Sequence, residues 1–147
     1  MKKIIPITAL VCAIFVGHAE ELKWLTDATK AQAQAKAEKK LVFLDFTGSD
    51  WCGWCIKLGR EVFSKPEFAE YAKKHLVLVE VDFPRRKKLS AEQTKANFAL
   101  QEKYQVEGYP TIIVLDGEGK KVADLGYVAG GPKAFIAKFE KLTKKAG

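Results

Sequence analysis

Two cysteines close a short motif, Cys52-Gly53-Trp54-Cys55. Thiols at this spacing can join in a disulfide, and they do chemistry when the first stands at the start of a helix. There the unpaired backbone amides and the positive end of the helix dipole favour the thiolate. The thiolate is the attacking species in disulfide exchange. The second sulfur lies one turn further in, where it attacks a mixed disulfide and releases the partner. Cys52 is therefore read as the attacking nucleophile, the more exposed of the two, and Cys55 as the resolving cysteine. A purely structural staple is the weaker explanation, because the closed loop is too short for a large entropic benefit.

Other chemistries find less to work with. The two thiolates leave copper(I) binding open as an alternative, since that ion favours soft ligands. A structural zinc site wants four ligands, and beyond residue 19 the chain adds only His75 to the two cysteines. His75 ends a helix-like segment and reads as a surface residue, and no pattern brings it to Cys52 for a hydrolytic Cys–His pair. The sequence holds no phosphate-binding loop with its Lys and Ser/Thr, and no dinucleotide fingerprint. No resident cofactor or metal is expected.

The elements that must position the cysteines are legible around them. A short strand is expected at Leu22 to Leu25. Ala28 to Lys40 is rich in Ala, Lys, Gln and Glu, which are good helix formers, and Asp27 or Thr26 can cap it. Leu41 to Phe46 is an apolar run with one acid, Asp45, and has the length of a buried strand. Thr47 to Asp50 is a loop. A helix is expected from Cys52 to Phe63, and a second from Pro66 to His75 with Ser64 as its cap. Leu76 to Asp82 is the next strand. Phe83 to Leu89, with Pro84 and four consecutive basic residues, reads as an exposed loop. Ser90 can cap a helix over Ala91 to Tyr104. Gly108-Tyr109-Pro110 breaks the chain before a strand at Thr111 to Leu115, and Asp116 to Gly119 is a hairpin turn into Lys120 to Leu125. Gly130-Gly131-Pro132 opens a last helix with Phe135, Ile136, Phe139 and Leu142 on one face. Strands alternating with helices imply an α/β fold, a central mixed β-sheet flanked by helices on both faces.

The chain has 147 residues, 48% of them hydrophobic, which suits one globular domain. Residues 1–19 read as a signal peptide, with Lys2 and Lys3 before an apolar run from Ile4 to Val16 and small residues at Gly17 and Ala19. Cleavage is expected after Ala19, leaving one domain over residues 20–147. A retained anchor and a lipid on Cys12 are the less favoured readings. Cleavage would remove the third cysteine, Cys12, and export would place the remaining pair in a disulfide-permissive compartment, the periplasm or beyond. The formal charge is +7, and loss of Lys2 and Lys3 would lower it by two. The basic clusters at Lys36 to Lys40, Arg85 to Lys88 and Lys138 to Lys145 read as solvated surface. Nucleic-acid binding is not expected, because the aromatics sit mainly in strand-like runs rather than among the charges.

Taken together, Phe43 to Phe46, Trp51-Cys52-Gly53-Trp54-Cys55, Tyr109-Pro110-Thr111 and the turn at Asp116 to Gly119 resemble the thioredoxin superfamily, over nearly all of the chain beyond the leader. Gly48 to Cys55 with Lys57 is similar to exported bacterial thioredoxin-like proteins. The resemblance implies a thioredoxin-like fold, a catalytic disulfide between Cys52 and Cys55, and a cis peptide at Pro110 beside it. It further implies that backbone near Pro110 and Thr111 pairs with an extended client chain, by strand addition. Trp51 would shield one side of the disulfide, while Gly53, Trp54 and Tyr109 belong to the client-facing surface. By its own chemistry Lys57 either favours the thiolate through its charge or is an ordinary solvent lysine, and the two readings stand level.

Two departures stand out. Thioredoxin proper has Gly-Pro between its cysteines, where this chain has Gly53-Trp54. Its buried Asp lies six positions before the first cysteine, whereas Asp45 lies seven before Cys52. One extra loop residue in Thr47 to Asp50 would restore the match and make Asp45 a proton acceptor for Cys55 through water. The expected activity is that of a thiol–disulfide oxidoreductase, by preference a reductase of protein disulfides. Oxidant and isomerase remain alternatives, because direction depends on potential and partner. The expected partners are protein thiols and disulfides and, by the resemblance, a membrane thiol donor. A monomer is expected.

Overall fold

The computed structural model describes residues 21–144. The leader expected at residues 1–19, with its cleavage after Ala19, lies outside the described residues. A five-stranded mixed sheet runs through the molecule in the order β1-β3-β2-β4-β5. Its strands are β1 (Trp24–Leu25), β2 (Leu41–Thr47), β3 (Leu76–Asp82), β4 (Thr111–Leu115) and β5 (Lys121–Leu125). β1 and β2 pair parallel with β3, while β4 pairs antiparallel with β2 and with β5. β2 and β3 are covered on both faces, which is why they read as continuous apolar runs rather than as alternation.

On one face lies α1 (Ala28–Glu38), which buries Ala31 and Ala35 against Val42, Leu44 and Val79. Small side chains at those two positions let the helix lie close to the sheet. The Asp27 carboxylate accepts hydrogen bonds from the Thr29 and Lys30 amides at 2.9 and 3.0 Å, capping α1 as expected. The helix stops at Glu38, before the expected Lys40, because Lys39 takes the left-handed conformation at φ 55°. Its amide turns back to the carbonyls of Ala35 and Lys36.

The other face carries α2 (Gly53–Leu58), α3 (Pro66–His75) and α5 (Gly131–Lys144). Phe43 sits fully buried at the centre of this layer, with the rings of Trp24, Phe63, Phe68, Phe135 and Phe139 around it at 5.8–6.3 Å. The single helix expected to Phe63 is instead α2 followed by a π-helical turn, Gly59–Phe63. The wider turn closes with the Ser64 amide donating to the Gly59 carbonyl at 2.9 Å. It keeps Leu58 and Val62 buried together and brings Phe63 to within 4.9 Å of Phe68. Ser64 does not cap α3: its hydroxyl donates back to the Arg60 carbonyl at 2.8 Å. Lys65 holds the cap position without a side-chain bond, and Pro66 follows at a position where a missing N–H costs nothing.

α4 (Ala91–Lys103) is capped by Ser90, whose hydroxyl accepts from the Gln93 amide at 3.1 Å. It is the least embedded helix, with Asn97 its buried residue. The Asn97 amide donates to the Asp82 carbonyl at 2.8 Å, which ties α4 to the end of β3.

The sheet face under α2 changes character toward that end. Phe43, Leu78 and Ile112 give way to Asp45, Thr47, Glu80 and Asp82. This polar end of an otherwise apolar face lies beneath the cysteine motif.

Candidate functional site

Cys52 is the N-cap of α2, with extended backbone at φ −81° and ψ 104°. It is joined to Cys55 by a disulfide, with the two Cα atoms 5.2 Å apart. The Cys55 amide donates to Cys52 Sγ at 3.2 Å. The sulfur thus takes up one of the four amides that a helix start leaves open. The difference in exposure expected between the two cysteines is absent in the disulfide form, with Cys52 at 6% and Cys55 at 7%. The asymmetry between the sulfurs lies instead in what each one faces.

Cys55 faces a cavity of about 340 Å³ that it lines together with Asp45, Thr47, Ser49 and Glu80. Asp45 is 7% exposed, and its Oδ1 has no hydrogen-bond partner among the described residues. Burial first, then the charges of Glu80 and Asp82, push the Asp45 carboxyl up to about 8. Glu80 is likewise raised by burial and by Asp82, with Lys87 acting in the opposite direction. Lys87 pairs with Asp82 at 2.9 Å and reaches Glu80 at 4.0 Å, and its own pKa is raised by these partners.

The loop leading to Cys52 is held from several sides. The Cys52 amide donates to the Gly48 carbonyl at 2.8 Å. The amide and hydroxyl of Ser49 both donate to the Asp82 carboxylate, at 2.9 and 2.6 Å. Asp50 accepts from the amides of Arg85, Arg86 and Lys87 at 2.8–2.9 Å. Those amides, Arg85's first, hold the Asp50 carboxyl down at about 2. The segment expected to be a plain exposed loop therefore presents exposed side chains on a backbone tied to the residue two before Cys52.

Trp51 donates its indole N–H to the Phe83 carbonyl at 2.7 Å and meets Tyr109 edge-on at 6.0 Å. The Arg85 guanidinium lies over the Trp51 ring at 3.8 Å. Gly48 lies directly under that ring, and a Cβ at position 48 would come within 2.5 Å of it. Tyr109 stacks on Phe83 at 5.1 Å and accepts from Gln101 at 2.9 Å. The Tyr109-Pro110 peptide is cis, and Thr111 donates its hydroxyl to the Gly108 carbonyl at 2.7 Å. On the other flank Trp54 is 57% exposed, with Tyr127 at 5.0 Å and Lys57 Nζ over its ring at 5.1 Å. Lys57 also reaches Glu61 at 3.9 Å.

The arrangement groups Cys52, Cys55 and Asp45 around one helix start and one cavity, with Trp51 and Tyr109 packed together beside it. Trp54 and Lys57 form a separate cluster with Tyr127. Sequence reasoning missed Glu80, Asp50, Gly48 and Tyr127. An acid inside an apolar strand was a signal for Glu80, as it was for Asp45. The other three depend on contacts between distant segments. His75 is exposed and lies tilted against the Tyr71 ring at 4.6 Å. Among the described residues no three His, Cys, Asp or Glu side chains are grouped to hold a metal ion.

The chain is similar to known proteins in sequence and fold. The family described as a thioredoxin-like domain matches residues 28–143. The disulfide bond reductase DsbH of Chlamydia pneumoniae is 39% identical over 126 residues, covering 86% of this chain and 75% of that protein. A solved DsbH oxidoreductase superimposes with a TM-score of 0.80 at 34% identity, over 98% of this chain and 95% of that one. The thiol:disulfide interchange protein DsbD of Pseudoalteromonas atlantica is 28% identical over 114 residues, 73% of this chain but 18% of that protein.

Proposed function

The chain belongs to the thioredoxin-like family and is a thiol–disulfide oxidoreductase, and we propose that it works as a reductase of protein disulfides outside the cytoplasm. The observation that carries this reading is the Cys52–Cys55 disulfide at the start of α2, with Cys52 Sγ on a helix-start amide and Cys55 on the cavity that holds Asp45. In the reduced protein Cys52 thiolate attacks one sulfur of a client disulfide. A Cys52–client bond forms, and the other client sulfur leaves with the electron pair and takes up a proton. Asp45 in its ionised form, whose share grows as the pH rises toward 8, accepts the Cys55 proton through water, and Cys55 thiolate then attacks Cys52 Sγ. The Cys52–client bond breaks, and the second client sulfur leaves with its electron pair and takes up a proton from water, so the client gains two thiols while the pair is oxidised to the disulfide.

Trp51, Gly53, Trp54 and Tyr109 make up the surface that meets the client. The backbone at Pro110 and Thr111 receives an extended client segment as an added strand. Lys57 adds positive charge on the helix that begins at Cys52. The leader-like sequence supports an exported protein, in the periplasm or secreted, with residues 1–19 removed. An exported reductase has to be re-reduced, and a membrane thiol donor fits that need. The likeness to DsbD, named as a thiol:disulfide interchange protein, supports that choice.

The test is the Cys52–Cys55 reduction potential of residues 20–147 in a defined thiol buffer. A value near thioredoxin's, about −270 mV, supports the reductase; a value near about −120 mV overturns it in favour of a disulfide-forming oxidant.

A further inference from the structure

Asp45 and Glu80 stand directly opposite each other on the parallel pair β2–β3, so their side chains leave the same face of the sheet. Both line the cavity that Cys55 also lines. Their exposures differ in a useful way: the side chain of Glu80 is 38% exposed, whereas Asp45 is 7% and Asp82 4% exposed. Glu80 is thus the acid of this face with open access to water, and Asp45 is the one with a buried, unpartnered oxygen. Resting on the oxidoreductase reading above, we propose that Glu80 is a positioning residue for that chemistry, forming with Asp45 a coupled carboxyl pair that takes the Cys55 proton inside the cavity and releases it to solvent.

The neighbours of the pair are few. β3 adds Asp82, and the 83–89 loop adds Lys87, which holds Asp82 and reaches Glu80. α2 adds Cys55. β4 places Ile112 opposite Asp45, and β1 and the π-helical turn bring Trp24, Gly59 and Phe63, none of which titrates. Asp45 and Glu80 face one cavity from adjacent strands and both are raised by burial, so the two titrate as a pair rather than residue by residue. Lys87 sits against Asp82, which leaves Asp45 and Glu80 as the two acids that exchange a proton.

In the reaction the S–H bond of Cys55 breaks and the proton goes to the Asp45 carboxylate through water. Cys55 Sγ forms its bond to Cys52 while the client sulfur departs with its electron pair. The proton on Asp45 then passes to the Glu80 carboxylate and from there to bulk water. No oxidant or reductant beyond the client disulfide and the cysteine pair enters.

The experiment follows the Asp45 carboxyl carbon by NMR from pH 4 to 10 in the oxidised protein, where neither cysteine titrates. It compares wild type with Glu80→Gln, Glu80→Asp and Lys87→Met, and then reads the pH profile of single-turnover reduction of a fluorescent disulfide peptide. Glu80→Gln is expected to lower the Asp45 midpoint by about one pH unit, a tenfold change in proton affinity, and to move the kinetic profile by the same amount. Glu80→Asp should hold the wild-type midpoint, and Lys87→Met should raise it. Opposite shifts from two neighbouring positions are not produced by a general loosening of the fold. An Asp45 midpoint unmoved by Glu80→Gln overturns the pair, and a moved midpoint with an unmoved kinetic profile overturns its part in the reaction. A wild-type protein whose carboxyls titrate together but which reduces no disulfide removes the reductase reading and leaves the pair standing.

Discussion

Replacing Asp45 with Asn tests whether the folded protein holds a proton on a carboxyl that the unfolded chain would release. Burial and the charges of Glu80 and Asp82 raise Asp45 from 3.8 to about 8. Between those two values the native state binds a proton that the unfolded state does not, so stability is highest below about pH 4 for this group. It falls as the pH rises toward 8 and changes no further above that. The gap of about four pH units, at about 1.4 kcal/mol per unit, sets an upper bound of about 6 kcal/mol on the loss. Asn cannot ionise, so Asp45→Asn should lose most of this slope, keeping only the smaller share of Glu80, which is raised in the same sense. The assay is guanidinium denaturation of the oxidised protein at pH 5 and pH 8.5, with the midpoint and slope compared at each. Wild type should be less stable at pH 8.5 by at least about 2 kcal/mol, and the variant should exceed wild type there by a similar amount. The same variant should resolve mixed disulfides more slowly, so that stability is gained where function is lost. A wild type with equal stability at the two values, or a variant with the same slope as wild type, refutes the claim that Asp45 is held protonated.

Two further predictions concern the loop before the motif. Gly48→Ala places a methyl against the Trp51 ring, where the unrelieved contact is 2.5 Å; it should destabilise by about 1–3 kcal/mol and shift Trp51 fluorescence, as read by denaturation and emission spectra. Asp50→Ala removes the acceptor for three loop amides; hydrogen exchange at Arg85, Arg86 and Lys87 should become fast while exchange in β2 and β3 stays slow. For Asp50, held low at about 2, the protective effect is present above pH 4 and is lost as the pH falls toward 2.

The parts of the molecule that follow local rules were legible in the sequence. β2, β3 and β4 are runs of apolar residues long enough for buried strands, and Asp27 and Ser90 sit where a side-chain oxygen meets open helix amides. The motif at Cys52 is legible through residue type and spacing once Trp51, the strand before it and Pro110 are read with it. Features set by competition between neighbours were not legible. Ser64 had a choice between the start of α3 and the end of the π-helical turn, and its hydroxyl went to Arg60. Lys39 adopts a left-handed conformation that residue type does not favour. Phe98 reads as a core residue by type, yet it is 57% exposed, because α4 is fastened through the polar Asn97 rather than through an apolar stripe.

The site divides in the same way. Cys52, Cys55, Trp51 and Pro110 carry signals in their own positions. The pairing of Asp45 with Glu80 needs the register of β2 on β3, and the tie from Asp50 to Arg85 spans 35 residues. Neither is written in any one segment. The near-equal burial of the two cysteines is likewise a property of the folded disulfide form and not of their order in the chain.

The most direct test of the account traps the reaction at its midpoint. Residues 20–147 carrying Cys55→Ser or Cys52→Ser are mixed, after reduction, with a disulfide-bonded client, then acid-quenched and mapped by mass spectrometry. Cys55→Ser should accumulate a mixed disulfide at Cys52, while Cys52→Ser should form at most a trace. A stable adduct through Cys55 in the second variant, or none through Cys52 in the first, would contradict it.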